Sequence, residues 1–451
     1  MISSESRKWW VLIALGAVAG LLLLDETVVG VALPSMRQDL GMTQTQAHWV
    51  ISVYFLAFTA FAAVCGKLGD IIGFKNVVLV GGTLFGLASV VCGFASDGAV
   101  LIAARAVQGL GAAVLFPASM AMVAVAFPPE QRGMAIGVYG AIATIFMATG
   151  PLVGGLLTEL LSWPWIFWIN VPVVLGIIVV ITFAWDDPPR DSERPRLDYA
   201  GLVTLVAGLG MVTFAVMQGA SWGWTQPVIL GLIVGGLVAI VLFVVIESRT
   251  ETPLLEVDLF RSASFSATTL VLFIGQYCKL VVVVFGAVYL QDALGMSPLT
   301  TGFALLVAVA GFPILTGPVG RIADKHGARR PVLAGLAVAT VAMAWLGVAS
   351  TWDDYLLLLP GLIGWGLSMP FCYVPALRLI ANSVAPEKQG QASGISATSR
   401  LVGGTAAVSI SSTVVVATGS FAIVFLVTAA LMLVTLLFGW AAIEQRRRGV
   451  D

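Results

Sequence analysis

The chain has 451 residues, of which 59% are hydrophobic and only 10% are charged, and its net charge is −1 at pH 7. Soluble domains carry about 25% charged residues, so this composition excludes a water-soluble globule, a secreted disulfide scaffold and a disordered regulator. The balanced charge excludes the basic field of a nucleic-acid binder, and two histidines with four cysteines in no metal-ligand spacing argue against a metalloenzyme. The composition predicts an all-α integral membrane protein.

Apolar runs follow one another along the whole chain, separated by short gaps that leave no room for a soluble domain. A helix needs about 20 mostly apolar residues to cross a membrane, and the alternating segments of a membrane barrel are missing. We expect fourteen spans, near 9–33, 46–65, 76–95, 98–120, 133–157, 163–185, 199–219, 226–246, 265–290, 298–319, 331–349, 354–378, 394–417 and 419–442.

The basic residues between the spans predict the orientation. The start of the chain and the even-numbered gaps contain nearly all of them, whereas the opposite gaps contain only Arg37. The positive-inside rule therefore predicts that both termini are cytoplasmic. The first span is too long for a signal peptide and contains two acids, so we expect it to be retained. Disulfides are not expected, because the four cysteines lie in or beside spans.

The sequence contains an internal repeat. The segment GKLGDIIGFKN at 66–76 recurs as GRIADKHGARR at 320–330, which pairs Asp70 with Asp324 at an offset of 254 positions. Repeated halves of this kind place a binding site at their interface, near the middle of the bilayer. We expect two six-span bundles with two inserted spans between them, at residues 1–188, 189–250 and 251–451.

Several motifs carry a family resemblance. They are LDETVVGVALP at 24–34, GKLGDIIGFK at 66–75, RAVQGLG at 105–111, GPLVGG at 150–155 and WPWIFWINVP at 163–172. With the second loop copy they cover nearly the whole chain, and together they resemble the major facilitator superfamily, within it the fourteen-span drug/proton antiporters. One departure is Gly30, which stands where the first-span motif commonly has Asn. The resemblance implies the major facilitator fold and proton-driven drug export.

Four charged residues are expected inside the spans. A charge is costly there, so each of these residues is a candidate functional residue. Asp25 and Glu26 lie in span one, Arg105 in span four and Lys279 in span nine, and the helical rise places all four near one level. Lys279 follows Asp25 by 254 positions, the offset of the repeat. In the resembled family the first helix of each half lines the central cavity.

These charges predict a proton-exchange site. Burial disfavours a charged carboxylate and a nearby cation favours it, so Asp25 or Glu26 can exchange a proton while Lys279 and Arg105 tune the exchange. We expect Asp25 to face Lys279 and to be the proton-linked acid, with Glu26 contacting a cationic substrate. A permanent ion pair that merely orients helices is the alternative.

Arg105 and Gln108 are three positions apart and share a helix face. Arg105 stays charged at physiological pH and needs an acid or water within the bundle. The aligned residues of the second half, Pro360 and Ile363, are uncharged, so proton coupling is expected in the first half. Arg105 as a fixed link between helices remains the alternative.

Two motifs predict conformational gates. Glycines in the first loop permit a tight turn, and Asp70 is expected to face a helix N-terminus as a latch that breaks in one conformation. A topology signal is the alternative. The expected gate residues in both loop copies are Gly66, Asp70, Gly73, Lys75, Asp324 and Arg329.

The second gate motif lies in span five. Gly150, Pro151 and Gly154 are expected to interrupt the helix and to allow close helix packing. The resembled antiporters carry this element and uptake transporters of the superfamily usually do not, which favours export. Generic small-residue packing is the alternative.

Polar and aromatic residues of spans nine and twelve are candidates for an adaptable cavity that accepts cations by ring contact. Core or lipid-facing positions are the alternative for each. They are Gln276, Tyr277, Trp365, Phe371 and Tyr373.

We therefore expect a monomeric exporter of the bacterial inner membrane that uses proton influx to expel a hydrophobic, cationic small molecule. No phosphate-binding loop of the Gly-x4-Gly-Lys-Ser/Thr type exists, so ATP is not expected to drive transport. Metals and other cofactors are not expected either. A proton-coupled carrier of a lipid, anionic or zwitterionic metabolite is the first alternative. A membrane sensor without transport is the second.

Overall fold

The computed structural model describes residues 4–65, 72–187, 198–250, 253, 257–383 and 389–443. Within these ranges the regular structure is helical throughout, with no strand. The helices are α1 (Ser4–Asp39), α2 (Gln44–Cys65), α3 (Phe74–Gly93), α4 (Gly98–Ala126), α5 (Pro129–Leu160), α6 (Trp165–Ala184), α7 (Tyr199–Trp222), α8 (Pro227–Glu247), α9 (Ala263–Asp292), α10 (Pro298–His326), α11 (Arg329–Ala349), α12 (Tyr355–Asn382), α13 (Gln389–Thr418) and α14 (Phe421–Ala442).

Thirteen helical segments in the described part of the chain are long and apolar enough to cross a membrane, and α2, with 22 residues, is a further long helix outside that set. Helices suit this setting because each satisfies its backbone polar groups internally. Short side chains cap several starts: Asp97 accepts hydrogen bonds from the amides of Ala99 and Val100 before α4. We call the side of the molecule on which α1 ends the distal face, and the side on which α1 begins the proximal face.

The helices form two groups that follow the sequence repeat. Helices α1 to α6 pack mainly on one another, most closely α1 on α5 and α4 on α2 and α3. Helices α9 to α14 do the same, with α11 on α12 and α14, and α9 on α13. We call these groups the N-half and the C-half. The expected boundaries at 188/189 and 250/251 remain predictions, because residues beside them lie outside the described ranges.

The two halves meet along three seams, where α5 packs on α10, α2 on α13, and α1 on the distal part of α9. The inserted helix α7 covers one seam, since it packs on both α2 and α13, and α8 packs on α7. Phe214 of α7 lies against Trp49 of α2 with ring centres 5.7 Å apart. On the other side, Thr413 of α13 donates a hydrogen bond to the Val216 carbonyl at 2.5 Å.

The repeat is also visible in one contact at the proximal face of each half. Lys75, at the start of α3, donates to the Trp185 carbonyl at 3.3 Å and to the Thr182 carbonyl at 2.7 Å, both at the end of α6. Arg329, at the start of α11, donates to the Trp440 carbonyl at the end of α14 at 2.7 Å. A cation is favoured at a helix C-terminus, where backbone carbonyls lack partners. Each base therefore ties the third helix of its half to the sixth.

Candidate functional site

The four charged residues expected within the spans are all buried. Asp25 is 0% exposed, Glu26 5%, Arg105 1% and Lys279 4%. They lie around α1, whose most apolar stretch is 83% buried, and α9, for which the figure is 94%. The expectation that these charges meet inside the protein is confirmed: they form two ion pairs.

The first ion pair lies within the N-half. Arg105 of α4 donates to Asp25 Oδ2 at 2.7 Å, and it also donates to Gln108 Oε1 at 2.6 Å and to the Val50 carbonyl at 3.0 Å. The guanidinium stacks over the ring of Tyr54, 4.1 Å from its centre. The ring of Phe167 in α6 also lies 5.8 Å from the guanidinium, so these partners of Arg105 come from α1, α2, α4 and α6 and the pair joins helices of one half.

Hydrogen bonds extend this first pair towards α3 and α6. Gln108 donates to Asp25 Oδ1 at 3.4 Å and to Ser89 Oγ at 2.8 Å, and Asn170 donates to the same Ser89 oxygen at 3.4 Å. The sequence singled out Gln108 but missed Ser89, Asn170 and Tyr54. Their residue types are common in spans, so no sequence signal marked them.

The second ion pair crosses from one half to the other. Lys279 of α9 donates to Glu26 Oε2 at 2.5 Å, and Gln276 donates to the same oxygen at 3.4 Å. Tyr373 of α12 donates to Gln276 Oε1 at 3.1 Å. Glu26 therefore belongs to the N-half by sequence and to a C-half cluster by its contacts.

The expected pairing of Asp25 with Lys279 is wrong, because Lys279 contacts Glu26. Successive side chains on a helix point about 100° apart, so the two acids cannot both face α9. Asp25 points into the N-half and Glu26 points to the seam. The repeat offset of 254 identified related helices but was one position away from the actual partner.

The candidate cavity residues separate into two sets. Gln276 and Tyr373 join the Glu26 cluster, as described above. Trp365 donates to Cys278 Sγ at 3.1 Å, and Tyr277 is 1% exposed, so both lie in packing around α9. Phe371 packs towards α11, where a methyl group added at Gly335 would lie 2.8 Å from its Cβ.

The span-five motif brings α5 against both α1 and α10. A methyl group at Gly150 would collide with Thr27, and one at Gly154 would lie 2.9 Å from the Val28 carbonyl oxygen. On the opposite side, Gly302 of α10 approaches so closely that its added methyl would lie 2.5 Å from the Pro151 carbonyl oxygen. The expected close packing is confirmed, whereas the expected interruption is wrong, since the helix continues through Pro151.

The gate expected from the loop motif stays a prediction, and the structure describes the contacts of only part of the motif. Gly66 and Asp70 lie outside the described residues. Gly73 precedes α3 with a φ of 89°, a conformation that favours glycine. Asp324 pairs with Arg378 of α12, and Lys75 and Arg329 bind helix ends, as above. All these described contacts stay inside one half, so they hold each bundle together and do not bridge the halves.

The distal face has contacts between the halves that the sequence analysis missed. Arg37 of α1 pairs with Asp292 of α9 at 3.1 Å, and the amide of Leu299 donates to Glu159 at 2.9 Å across the α5/α10 seam. At the α2/α13 seam, His48 Nδ1 and Ser412 Oγ are 2.5 Å apart. Arg37 and Asp292 are 255 positions apart, so the repeat offset of 254 relates the two helix ends but not this exact pair.

This arrangement suits transport between two halves. Glu26 is bound by Lys279 and Gln276 of the other half, so a relative movement of the halves would break these contacts, and the distal contacts join the same two halves. In the described part of the chain, no group of three or more His, Cys, Asp or Glu side chains is arranged to hold a metal ion.

Known proteins resemble this chain over most of its length. One is the puromycin resistance protein pur8 of Streptomyces alboniger, 35% identical over 91% of this chain and 82% of the relative. Another is the cephamycin export protein CmcT of Amycolatopsis lactamdurans, 33% identical over 85% of this chain and 80% of the relative.

A solved structure with the same fold is that of an auto-inhibited POT family peptide transporter. It has a TM-score of 0.71 and 16% identity, and the match covers 99% of this chain and 98% of the other. The sequence pattern of the Major Facilitator Superfamily matches residues 15–198, 192–408 and 265–450. This chain is a multi-pass membrane protein and belongs to the Major Facilitator Superfamily of transporters.

Proposed function

We propose that the protein is a proton-driven antiporter that exports hydrophobic, cationic drugs or antibiotics by alternating access. The observation that carries this proposal is the buried ion pair between Glu26 of the N-half and Lys279 of the C-half, at 2.5 Å. Resistance to puromycin and export of cephamycin, in the names of two relatives, support an antibiotic as the cargo.

Glu26, rather than Asp25, is the acid that exchanges with the cargo and the proton. The partners of Asp25 belong to the N-half, which moves as one body if the halves rock, so that pair can persist throughout the cycle. Glu26 is bound from the other half by Lys279 and Gln276, and this cluster must rearrange when the seam opens. Asp25 then neutralises Arg105, which stays charged at any physiological pH.

The Glu26 carboxylate can exchange a proton for cargo because its possible partners compete for the same group. A proton on Glu26 removes the charge that attracts Lys279 or a cationic cargo, so proton and cargo bind alternately. Because a buried charge without a partner is costly, Glu26 favours the states in which one of these partners is present. Binding of one partner therefore accompanies release of another, which is the requirement for antiport.

The proposal includes the orientation of the protein in the membrane and its location in the cell. The excess of basic residues at the proximal face favours a cytoplasmic position for that face and for both termini, in a bacterial inner membrane. The distal contacts then close the external side, and the protein is loaded from the cytoplasm. We propose that it acts as a monomer in the bilayer without a cofactor.

The test uses inside-out membrane vesicles, in which respiration acidifies the lumen, and ethidium as a cationic probe. We expect ethidium to accumulate in the lumen, and accumulation to stop when a protonophore removes the gradient. Glu26→Gln should abolish accumulation, whereas Asp258→Asn, at a carboxylate whose side chain is 60% exposed, should retain it. If ethidium still accumulates when the protonophore is present, or still accumulates in Glu26→Gln, the proposed proton coupling is excluded.

A second candidate is a proton-coupled carrier of anionic or zwitterionic metabolites or lipids. The observation in its favour is Lys279, whose ammonium lies beside Glu26 and offers a cation to a cargo carboxylate or phosphate. Lys279→Gln distinguishes the candidates: ethidium transport should persist for a cationic cargo site. If Lys279→Gln stops the transport of an anionic probe and leaves ethidium transport intact, the second candidate is favoured.

A further inference from the structure

The distal ends of α1 and α9 are joined by a forked ion pair. Arg37 donates through Nη1 to Asp292 Oδ2 at 3.1 Å and through Nη2 to Asp292 Oδ1 at 3.3 Å. A two-bond geometry of this kind is directional as well as attractive. The residues stand 255 positions apart, one position from the repeat offset of 254, and each half contributes one member of the pair.

The surroundings hold Arg37 in place for this contact. Gln44, at the start of α2, accepts a second bond from Arg37 Nη1 at 2.9 Å. Gln44 belongs to the N-half, so it orients the guanidinium without linking the halves. Because Gln44 remains beside Arg37 when Asp292 moves away, the guanidinium keeps its orientation and can bind Asp292 again when the halves approach.

The exposure of this pair differs from that of the central pair. The side chains of Arg37 and Asp292 are 24% and 25% exposed, whereas those of Glu26 and Lys279 are each 5% exposed. Water can solvate charges released at the distal face, so the fork can open and close repeatedly without creating buried unpaired charges.

The backbones of α1 and α9 are also close at this end. Gln291 donates to the Val31 carbonyl at 2.7 Å, and a methyl group added at Gly30 would lie 3.1 Å from the Val284 Cα. The small residue at position 30 thus permits the contact. A route from the distal face to Glu26 along α1 and α9 requires these helix ends to separate, which breaks the fork.

We propose that Arg37 and Asp292 form a distal latch, a pair of residues that stabilises the distally closed state relative to the distally open one. The latch sets the balance between the two states and takes no part in binding protons or cargo. It requires alternating access, but it does not depend on the identity of the cargo or on proton coupling.

The test measures access to the seam without any transported substrate. Val288 of α9 is 2% exposed and lines a small cavity beside Arg37 and His48, so Val288→Cys reports opening of the distal seam. Purified protein in lipid nanodiscs would be labelled with a negatively charged, membrane-impermeant maleimide. The protein without Val288→Cys gives the background from its four buried native cysteines.

We expect slow labelling of the reporter and about tenfold faster labelling after Arg37→Ala or Asp292→Ala, as the closed population falls. The exchanged pair Arg37→Asp with Asp292→Arg should restore slow labelling, whereas Arg37→Asp alone should not. The matched control is Arg7→Ala, which breaks the ion pair of Arg7 with Asp186, also at 3.1 Å, at the proximal end of α1 within the N-half. It should leave labelling unchanged.

Two outcomes would overturn the latch: unchanged labelling in both Ala variants, or fast labelling that the exchanged pair fails to reverse. Each substitution is also made in the protein without Val288→Cys, as a test of folding. A variant that unfolds exposes its native cysteines there, and their labelling rises. In that case Arg37→Lys, which keeps the charge but loses the fork, replaces it and should give intermediate labelling. Failure of proton-driven export in vesicles would leave this measurement unaffected, so the two proposals can fail separately.

Discussion

Asp25 and Glu26 are neighbours in the sequence, yet their carboxylates contact different halves of the protein. Asp25 accepts a hydrogen bond from Arg105 of the N-half at 2.7 Å, and Glu26 accepts one from Lys279 of the C-half at 2.5 Å. One helix therefore carries an acid for holding its own half together and an acid for contacting the other. Substitutions at the two acids and at their partners separate these two tasks.

Neutralising Asp25 should destabilise the protein more than neutralising Glu26. In Asp25→Asn the buried Arg105 loses its counter-charge and cannot give up its proton, a situation that costs about 3–5 kcal/mol. Lysine, unlike arginine, does not have a permanently fixed charge, so the loss in Glu26→Gln should be smaller. Thermal unfolding in one detergent, with folded yield as a second measure, compares the variants. Equal losses of thermal stability would mean that the two ion pairs contribute equally to the stability of the protein.

Lys279 and Glu26 should be energetically coupled. Lys279→Gln leaves a carboxylate in a buried site and Glu26→Gln leaves an ammonium, whereas the double variant leaves neither charge. We expect the double variant to be more stable than the sum of the single losses predicts, with a coupling of about 1–3 kcal/mol. It should still fail to respond to a proton gradient. Strict additivity of the three unfolding measurements would contradict direct coupling across the seam.

The seam between α5 and α10 should tolerate no side chain at Gly302. Its added methyl would lie 2.5 Å from the Pro151 carbonyl oxygen, so Gly302→Ala should push the helices apart at a cost of about 1–3 kcal/mol and reduce transport. Gly317 lies on the same helix with no neighbouring heavy atom within 4 Å of an added methyl. Gly317→Ala is therefore the control and should behave like the unaltered protein. Equal transport by both variants would show that close approach at Gly302 is unnecessary.

Lys75 and Arg329 should contribute to stability rather than to gating. Each donates to carbonyls at a helix end within its own half, so Lys75→Met and Arg329→Met should each cost about 0.3–2 kcal/mol. Because the contacts lie in different halves, the two losses should add in the double variant. Lys75→Arg, which keeps the cation, provides the control. A large fall in transport with unchanged thermal stability would instead support the gate expected from the loop motif.

Much of the architecture could be predicted from local information. The apolar runs predicted the spans because crossing a bilayer constrains length and polarity within each segment. The loop repeat predicted two related halves, and the buried charges Asp25, Glu26, Arg105 and Lys279 stood out because charges are rare in spans. The Gly150 and Gly154 spacing indicated close packing, since positions four apart share one helix face.

The partners of those charges depended on information that the sequence does not contain in local form. Rotating α1 about its axis by one residue, about 100°, would point Asp25 in the direction that Glu26 takes in the structure and would turn Glu26 away from α9. That rotation is set by packing, including Gly150 against Thr27 and Gly154 against Val28. The same limitation applies to the contacts of Lys75 and Arg329, because their acceptors are backbone carbonyls with no residue signature.

The sequence by itself determined a polytopic helical protein with two repeated halves and charged side chains within spans one, four and nine, because hydropathy and spacing are properties of single segments. Only the tertiary structure decided that Asp25 serves one half, that Glu26 joins the two, and that Arg37 and Asp292 meet at the distal face. Helix rotation and the approach of distant helices arise from packing of the whole chain, and they select partners to within a single residue.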